Sequence, residues 1–154
     1  MDWIVDGLTN PFLLTSLSSW AIAQVAKVII NAIINKKLDL ERLFGDGGMP
    51  SGHSATVSSL ALITGLVEGF GGVEFAIAGI LAVIVCHDAM GVRLETGKQA
   101  VVINELLKAF EALSSEDLPE VKLKEFVGHS PVQVIAGVLI GLCNAGVMYY
   151  FVFA

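Results

Sequence analysis

Charge is what this chain has least of. Lys and Arg number 9 and Asp and Glu 15, so 16% of its 154 residues are charged, against about 25% in an ordinary soluble domain. With so few cations and a net charge of −6, it lacks the basic footprint that a nucleic-acid partner requires. Cysteine occurs twice, at Cys86 and Cys143. Both lie inside apolar runs and neither has a CxxC or Cys/His spacing, which excludes a disulfide framework and a zinc ribbon and leaves two small packing residues. The opening MDWIVDGLTN is acidic where a secretory signal would be basic. Apolar residues, by contrast, make up 55% of the chain, and the mean hydropathy is +0.75. Such a composition excludes disorder and exceeds what one small soluble core can hide. At this length a single domain, residues 1–154, is expected. The surviving class is an integral membrane protein.

Four apolar runs are spaced along the chain: Pro11 to Ile34, Gly52 to Val67, Phe75 to Val92 and Val132 to Ala154. The first is 24 residues long with one charge, Lys27, and the last has none. At 1.5 Å per residue such runs match a bilayer core of about 30 Å. Glycines at 71 and 72 separate the second run from the third. Between the third and fourth lies the one long polar segment, Glu95 to His129, in which Val101, Val102, Leu106, Leu107, Phe110 and Leu113 recur at helical spacing. The pattern predicts an all-α bundle of about four transmembrane helices plus a cytoplasmic amphipathic helix, which lies on the membrane surface or against the bundle. SSEDLPEVK reads as an exposed loop, and there is no internal repeat or low-complexity tract.

Orientation follows from the cations. Lys36, Lys37 and Arg42 lie between the first two runs; Arg93, Lys98, Lys108, Lys122 and Lys124 lie between the last two; Lys27 sits toward the same end. The positive-inside rule puts both connections on the cytoplasmic (or stromal) face and both termini opposite. An up-and-down bundle then gathers Lys27, His53, Asp88, Arg93 and His129 at one depth on that face. Ionisable groups in membrane segments are costly and read first as functional, although Lys27 alone could be a snorkelling anchor.

The sharpest local signal is GGMPSGHSA, Gly47 to Ala55. A Pro/Gly turn ahead of an apolar helix aims backbone N–H groups and the positive helix end at one spot, an anion site. Ser51 adds a hydroxyl, and His53 a group that gains or loses a proton near neutrality. Lysine, arginine, two histidines and a helix N-terminus together suit a phosphoryl group.

PSGHS, at Pro50 to Ser54, resembles the second signature motif of the type 2 phosphatidic acid phosphatase superfamily, which includes vanadium haloperoxidases. With DAMGVRLETGKQAVVIN (Asp88 to Asn104) and EFVGHSPVQVIAG (Glu125 to Gly137), the chain resembles the divergent branch of that superfamily over nearly its whole length. It departs from the superfamily's pattern twice. Seven residues after Lys27 stands Ile34 rather than Arg-Pro, and six after Arg93 stands Gln99 rather than histidine. The nucleophile implied by the resemblance is therefore His129, with His87 as rival.

The resemblance implies a membrane phosphatase that releases the phosphomonoester of a lipid phosphate, of the phosphatidylglycerophosphate or phosphatidic acid type, through a phosphohistidine. His129 would attack phosphorus, oriented by Asp88 or, second, Glu125. His53 would protonate the leaving alkoxide and then activate water. Lys27, Arg93 and the backbone at Ser51 and Gly52 would hold the phosphoryl oxygens. No metal or cofactor enters the scheme. A zinc site built from His53, His87, Asp88 and His129 is disfavoured by the neighbouring cations and by the lack of an HExxH pattern, and a Walker loop by the missing lysine and strand. The other readings are a catalytically silent lipid or anion binder on the same scaffold and, third, a haloperoxidase, whose known members are soluble and much larger. Gly137, Gly141, Ala145 and Gly146 form a small-residue face suited to helix packing, within the chain first or against a second copy in a homo-oligomer.

Overall fold

The computed structural model describes residues 2–36, 47–113, 123–125 and 127–152; the SSEDLPEVK segment and the cations at 37, 42 and 122 lie outside them. A short helix, α1 (Asp2–Leu8), comes first and was not expected from the sequence. Helix α2 (Pro11–Asn35) starts where Asn10 caps it, its side chain accepting from the N–H groups of Phe12 (2.9 Å) and Leu13 (3.1 Å). Pro11 takes the first helical position, where its missing N–H costs nothing. Lys36, in the left-handed region at φ 52°, ends it.

Helix α3 (Gly52–Glu68) is capped by Ser51 and stops at Gly69. A four-residue turn leads to α4 (Val73–Met90), whose first turn carries Glu74, an anion favoured at a helix N-terminus. One residue, Gly91, then separates α4 from α5 (Val92–Leu113), its N–H donating to the His87 carbonyl at 2.9 Å. This break moves Arg93 from the end of the third apolar run into the first turn of the amphipathic helix. Helix α6 (Pro131–Val152) closes the fold. Gln133 accepts from the Ser130 N–H at 3.0 Å, half of a capping box around Pro131.

Helix α3 is central and packs against α2, α4 and α6; α2 also packs on α6. Its buried residues are mostly small or hydroxylic: Gly52, Ser54, Ala55, Ser58, Ser59, Thr64 and Gly65 beside Ile63. That composition suits a bundle in lipid, where apolar burial drives no association and close backbone approach with polar bonds must do so. Gly137 and Gly141 of α6 lie directly against the α3 backbone. Asn144 of α6 donates to Thr15 O (3.1 Å), Ser18 Oγ (2.9 Å) and Ser19 Oγ (2.8 Å) of α2.

The large apolar side chains point outward instead, among them Leu13, Ile29, Ile33, Ile77, Ile80, Val83, Ile135 and Leu139. A soluble fold does not turn Leu and Ile out on helix after helix, as α2, α4 and α6 do here; a lipid-facing one does. Three helical stretches, Pro11–Asn35, Val73–Glu111 and Pro131–Val152, are long and apolar enough to cross a membrane. With the 17-residue α3 held among them, the protein is an all-α membrane bundle of about four transmembrane helices. The amphipathic α5 covers Gly97, Ala100 and Asn104 and leaves Val102, Ile103, Leu106 and Phe110 exposed.

Candidate functional site

The PSGH loop is clamped from two sides. On one side is α2. A Cβ on Gly48 would touch the Lys27 stem at 3.5 Å, and one on Gly52 would meet Trp20 at 3.2 Å and Gln24 at 3.5 Å. On the other side is α6, where the Ser51 N–H donates to the Gln133 carbonyl at 3.0 Å. A Cβ on Gly137 would collide with the Ser51 carbonyl. Gly47 and Gly48 take φ of 84° and 85°, a conformation that side chains resist, which lets the loop fold back beneath Lys27.

Ser51 is fully buried, and its Oγ accepts from Ser54 N (3.3 Å) and Ser54 Oγ (2.9 Å). Its N–H and hydroxyl oxygen therefore hold the loop together, and with the Ser54 N–H also engaged, the N–H groups of Gly52 and His53 are the ones these bonds leave at this helix end. Lys27, 4% exposed on a helix with no other charge, lies against Gly48 of the same loop.

The second half of the site comes from the segment before α6. His129 is buried, 3% exposed, and its N–H donates to the Ala89 carbonyl at 3.0 Å. Gly128 (φ 85°) lies so close to the Leu94 backbone that no side chain would fit, and Gly97 of α5 is equally close to the carbonyls of Glu125 and Val127. The chain approaching His129 is thus laid along the start of α5. Asn104 fixes its other end: its Nδ2 donates to Leu123 O (2.9 Å) and Glu125 Oε1 (2.8 Å), and its Oδ1 accepts from Leu123 N (2.9 Å).

This folding brings His53 and His129 together with ring centroids 6.3 Å apart and planes at 77°. His53 is exposed and His129 is enclosed. Asp88 and Arg93, assigned separate tasks from the sequence, bind each other: Arg93 Nε donates to Asp88 Oδ2 at 2.6 Å across the Gly91 break. Both are partly exposed, 38% and 49%, so the pair adds at most about 1 kcal/mol of stability. Asp88 remains next to Ala89, which receives the His129 N–H, whereas Glu125 is held by Asn104. His87 is exposed in the last turn of α4. Among the described residues, no three His, Cys, Asp or Glu side chains stand close enough to hold a metal ion.

Sequence reading passed over Gln24, Asn104 and Gln133. Gln24, one turn before Lys27 in an apolar run, carried a signal in its polarity alone. Asn104 and the backbone carbonyl of Gln133 act on partners that only the fold discloses. The resulting region combines two imidazoles, a buried ammonium, an exposed guanidinium and a helix N-terminus.

The divergent PAP2 family matches residues 8–144 of the chain. An uncharacterized membrane protein, YuiD of Bacillus subtilis (strain 168), is 42% identical over 153 residues, covering 94% of this chain and 97% of its own length. No solved structure matches.

Proposed function

Because the chain belongs to the divergent PAP2 family, we propose that it is a metal-independent phosphatase of lipid phosphates embedded in the membrane. The observation that carries the reading is the pairing of His53 with His129, 76 residues apart in sequence, at 6.3 Å by the N-terminus of α3, whose preceding loop packs on the buried Lys27. One histidine for the nucleophile and one for the proton is what a two-step phosphoryl transfer needs.

In the first step a ring nitrogen of His129 bonds to phosphorus as the P–O ester bond breaks. The departing alkoxide takes a proton from His53. In the second, His53 takes a proton from water, the water oxygen bonds to phosphorus and the P–N bond breaks, releasing phosphate. Lys27, Arg93 and the N–H groups of Gly52 and His53 hold the phosphoryl oxygens, with Ser51 shaping the loop that presents them. Asp88, bonded to Arg93 and adjacent in sequence to the Ala89 that accepts the His129 N–H, is the first choice to orient His129, with Glu125 second. Phosphoryl transfer is mostly positioning and electrostatics, and loss of one such donor costs about 10²–10³ in rate. The distribution of the nine cations supports a site on the cytoplasmic (or stromal) face, within reach of phosphatidic acid or phosphatidylglycerophosphate made there.

A second reading, a silent lipid or anion binder, draws on the Asp88–Arg93 pair, which engages two of the expected groups with each other. Phosphate release from a panel of lipid phosphates in EDTA separates the two. Turnover that survives chelation and vanishes in His129→Ala and His53→Ala supports the phosphatase; phosphate binding without release supports the binder.

A further inference from the structure

The end of the bundle away from the histidines carries acids and no Lys or Arg. Glu68 stands fifteen residues after His53 on α3, about 22 Å along the axis. Residues 1–26 and 43–92, which hold the start of α2, all of α3 and α4 and the turn between them, contain no Lys or Arg. Glu74 lies in the first turn of α4, where the helix dipole favours an anion. Glu68 is the last residue of α3, where the dipole opposes one. Neither carboxylate has an ion-pair or hydrogen-bond partner among the described residues.

Both acids line a cavity of about 460 Å³, which opens where α2 and α4, each packed on α3, do not meet among the described residues. That volume is within the range of about 300–1,000 Å³ typical of small-molecule sites. Its polarity is graded. Glu68, Thr64 and Leu60 recur at four-residue spacing along one face of α3, and Glu74, Ile77 and Leu81 along one face of α4. Carboxylates therefore stand at one end, a hydroxyl one turn further in and hydrocarbon beyond it, reaching Leu60 at about 12 Å from Glu68. Phe12 of α2 completes the apolar wall.

Thr64 points to an occupant. The other buried hydroxyls of these helices, among them Thr15, Ser19, Ser58 and Ser59, donate to a carbonyl three or four residues earlier at 2.6–2.9 Å. Thr64 is also buried, 7% exposed, and lines the cavity, but it makes no hydrogen bond among the described residues. A buried hydroxyl in that state is costly to the fold.

We propose that this cavity binds a primary alkylammonium, its nitrogen between the two carboxylates, one N–H donated to the Thr64 oxygen and its chain against Leu60, Leu81 and Phe12. The two ends of the bundle then take ligands of opposite charge, and the site stands independently of the phosphatase reading. An aminophospholipid offers the same ammonium, but its phosphate would face Glu68 and Glu74, so the assignment is to a free amine.

The test uses the full protein in phosphatidylcholine nanodiscs and two diazirine probes on the same alkyl chain, one ending in a primary ammonium and one in a sulfate. Photolabelling by the ammonium probe should saturate, map to the cavity residues of α3 and α4, and fall several-fold in the Glu68→Gln, Glu74→Gln double variant. Thr64→Val fills the same space. It should weaken labelling by the primary ammonium and leave a trimethylammonium probe, which has no N–H to give, unchanged. Octylamine should displace the label, and phosphatidylethanolamine built into the disc should not. Displacement by that lipid would overturn the assignment to a free amine. Labelling that never saturates, equal labelling by the ammonium and sulfate probes, or labelling indifferent to the Gln substitutions would overturn the site itself.

Discussion

Two glycines of the membrane bundle should respond in opposite ways to the same substitution. At Gly137 an added methyl would fall closer to the Ser51 carbonyl oxygen than any real contact, and within 3.1 Å of both Ser51 C and Ser54 Cβ. At Gly79, inside α4, it would meet nothing within 4 Å. Exchange of glycine for alanine in a helix interior gains about 0.5–1 kcal/mol, and Gly79→Ala should show that gain. Overpacking costs about 1–3 kcal/mol, so Gly137→Ala should lose stability despite its better helix propensity. At about 2–4 °C per kcal/mol for a chain of this size, the two variants should melt several degrees apart in detergent, on either side of the parent protein. Gly137→Ala should also turn over more slowly, because α6 can accept the methyl only by moving away from Ser51 and shifting the PSGH loop. Equal melting temperatures, or a Gly137→Ala protein more stable than its parent, would refute the packing of α6 on the loop.

Other substitutions test other parts of the fold. Asn144→Leu removes three hydrogen bonds from α6 to α2; thermal unfolding should show a loss of about 0.6–1.7 kcal/mol, the range measured for bonds between membrane helices. Asn104→Ala leaves Leu123 and Glu125 without the partner they share, a cost of about 1–3 kcal/mol. Hydrogen exchange should quicken across residues 123–129 while α2 and α3 keep their protection. Lys27→Gln should reduce phosphate release by about 10²–10³ with its melting temperature maintained or raised, since a buried ammonium is costly to the fold.

The helices were largely legible because membrane segments announce themselves by composition and their ends by capping chemistry. The expected Pro11–Ile34 and Gly52–Val67 runs each fall one residue short of α2 and α3. Asn10-Pro11 and Ser51 mark those starts without any tertiary help. The Gly91 break was not legible: a single glycine among apolar residues signals no helix end, and here it hands Arg93 to α5 and lets it reach Asp88. Helix α1 was missed because seven residues with two acids show no clear period.

At the site, the two histidines, Lys27 and the PSGH loop stood out as polar residues in apolar surroundings. What holds them did not. Asn104 and Gln133 act across 19 and 82 residues of sequence, and Gly137 matters for the backbone that it lets approach rather than for any group of its own.

The central claim, that two histidines share a phosphoryl transfer, is tested most directly by trapping the intermediate. Purified protein and its His53→Ala variant, which lacks the base that activates water, would be mixed with a lipid phosphate carrying labelled phosphorus and quenched in alkali. The account predicts label that survives base, is lost in acid and maps to the peptide holding His129, with more of it retained by His53→Ala than by the parent. Label on another residue, or none in either protein while free phosphate accumulates, would contradict it.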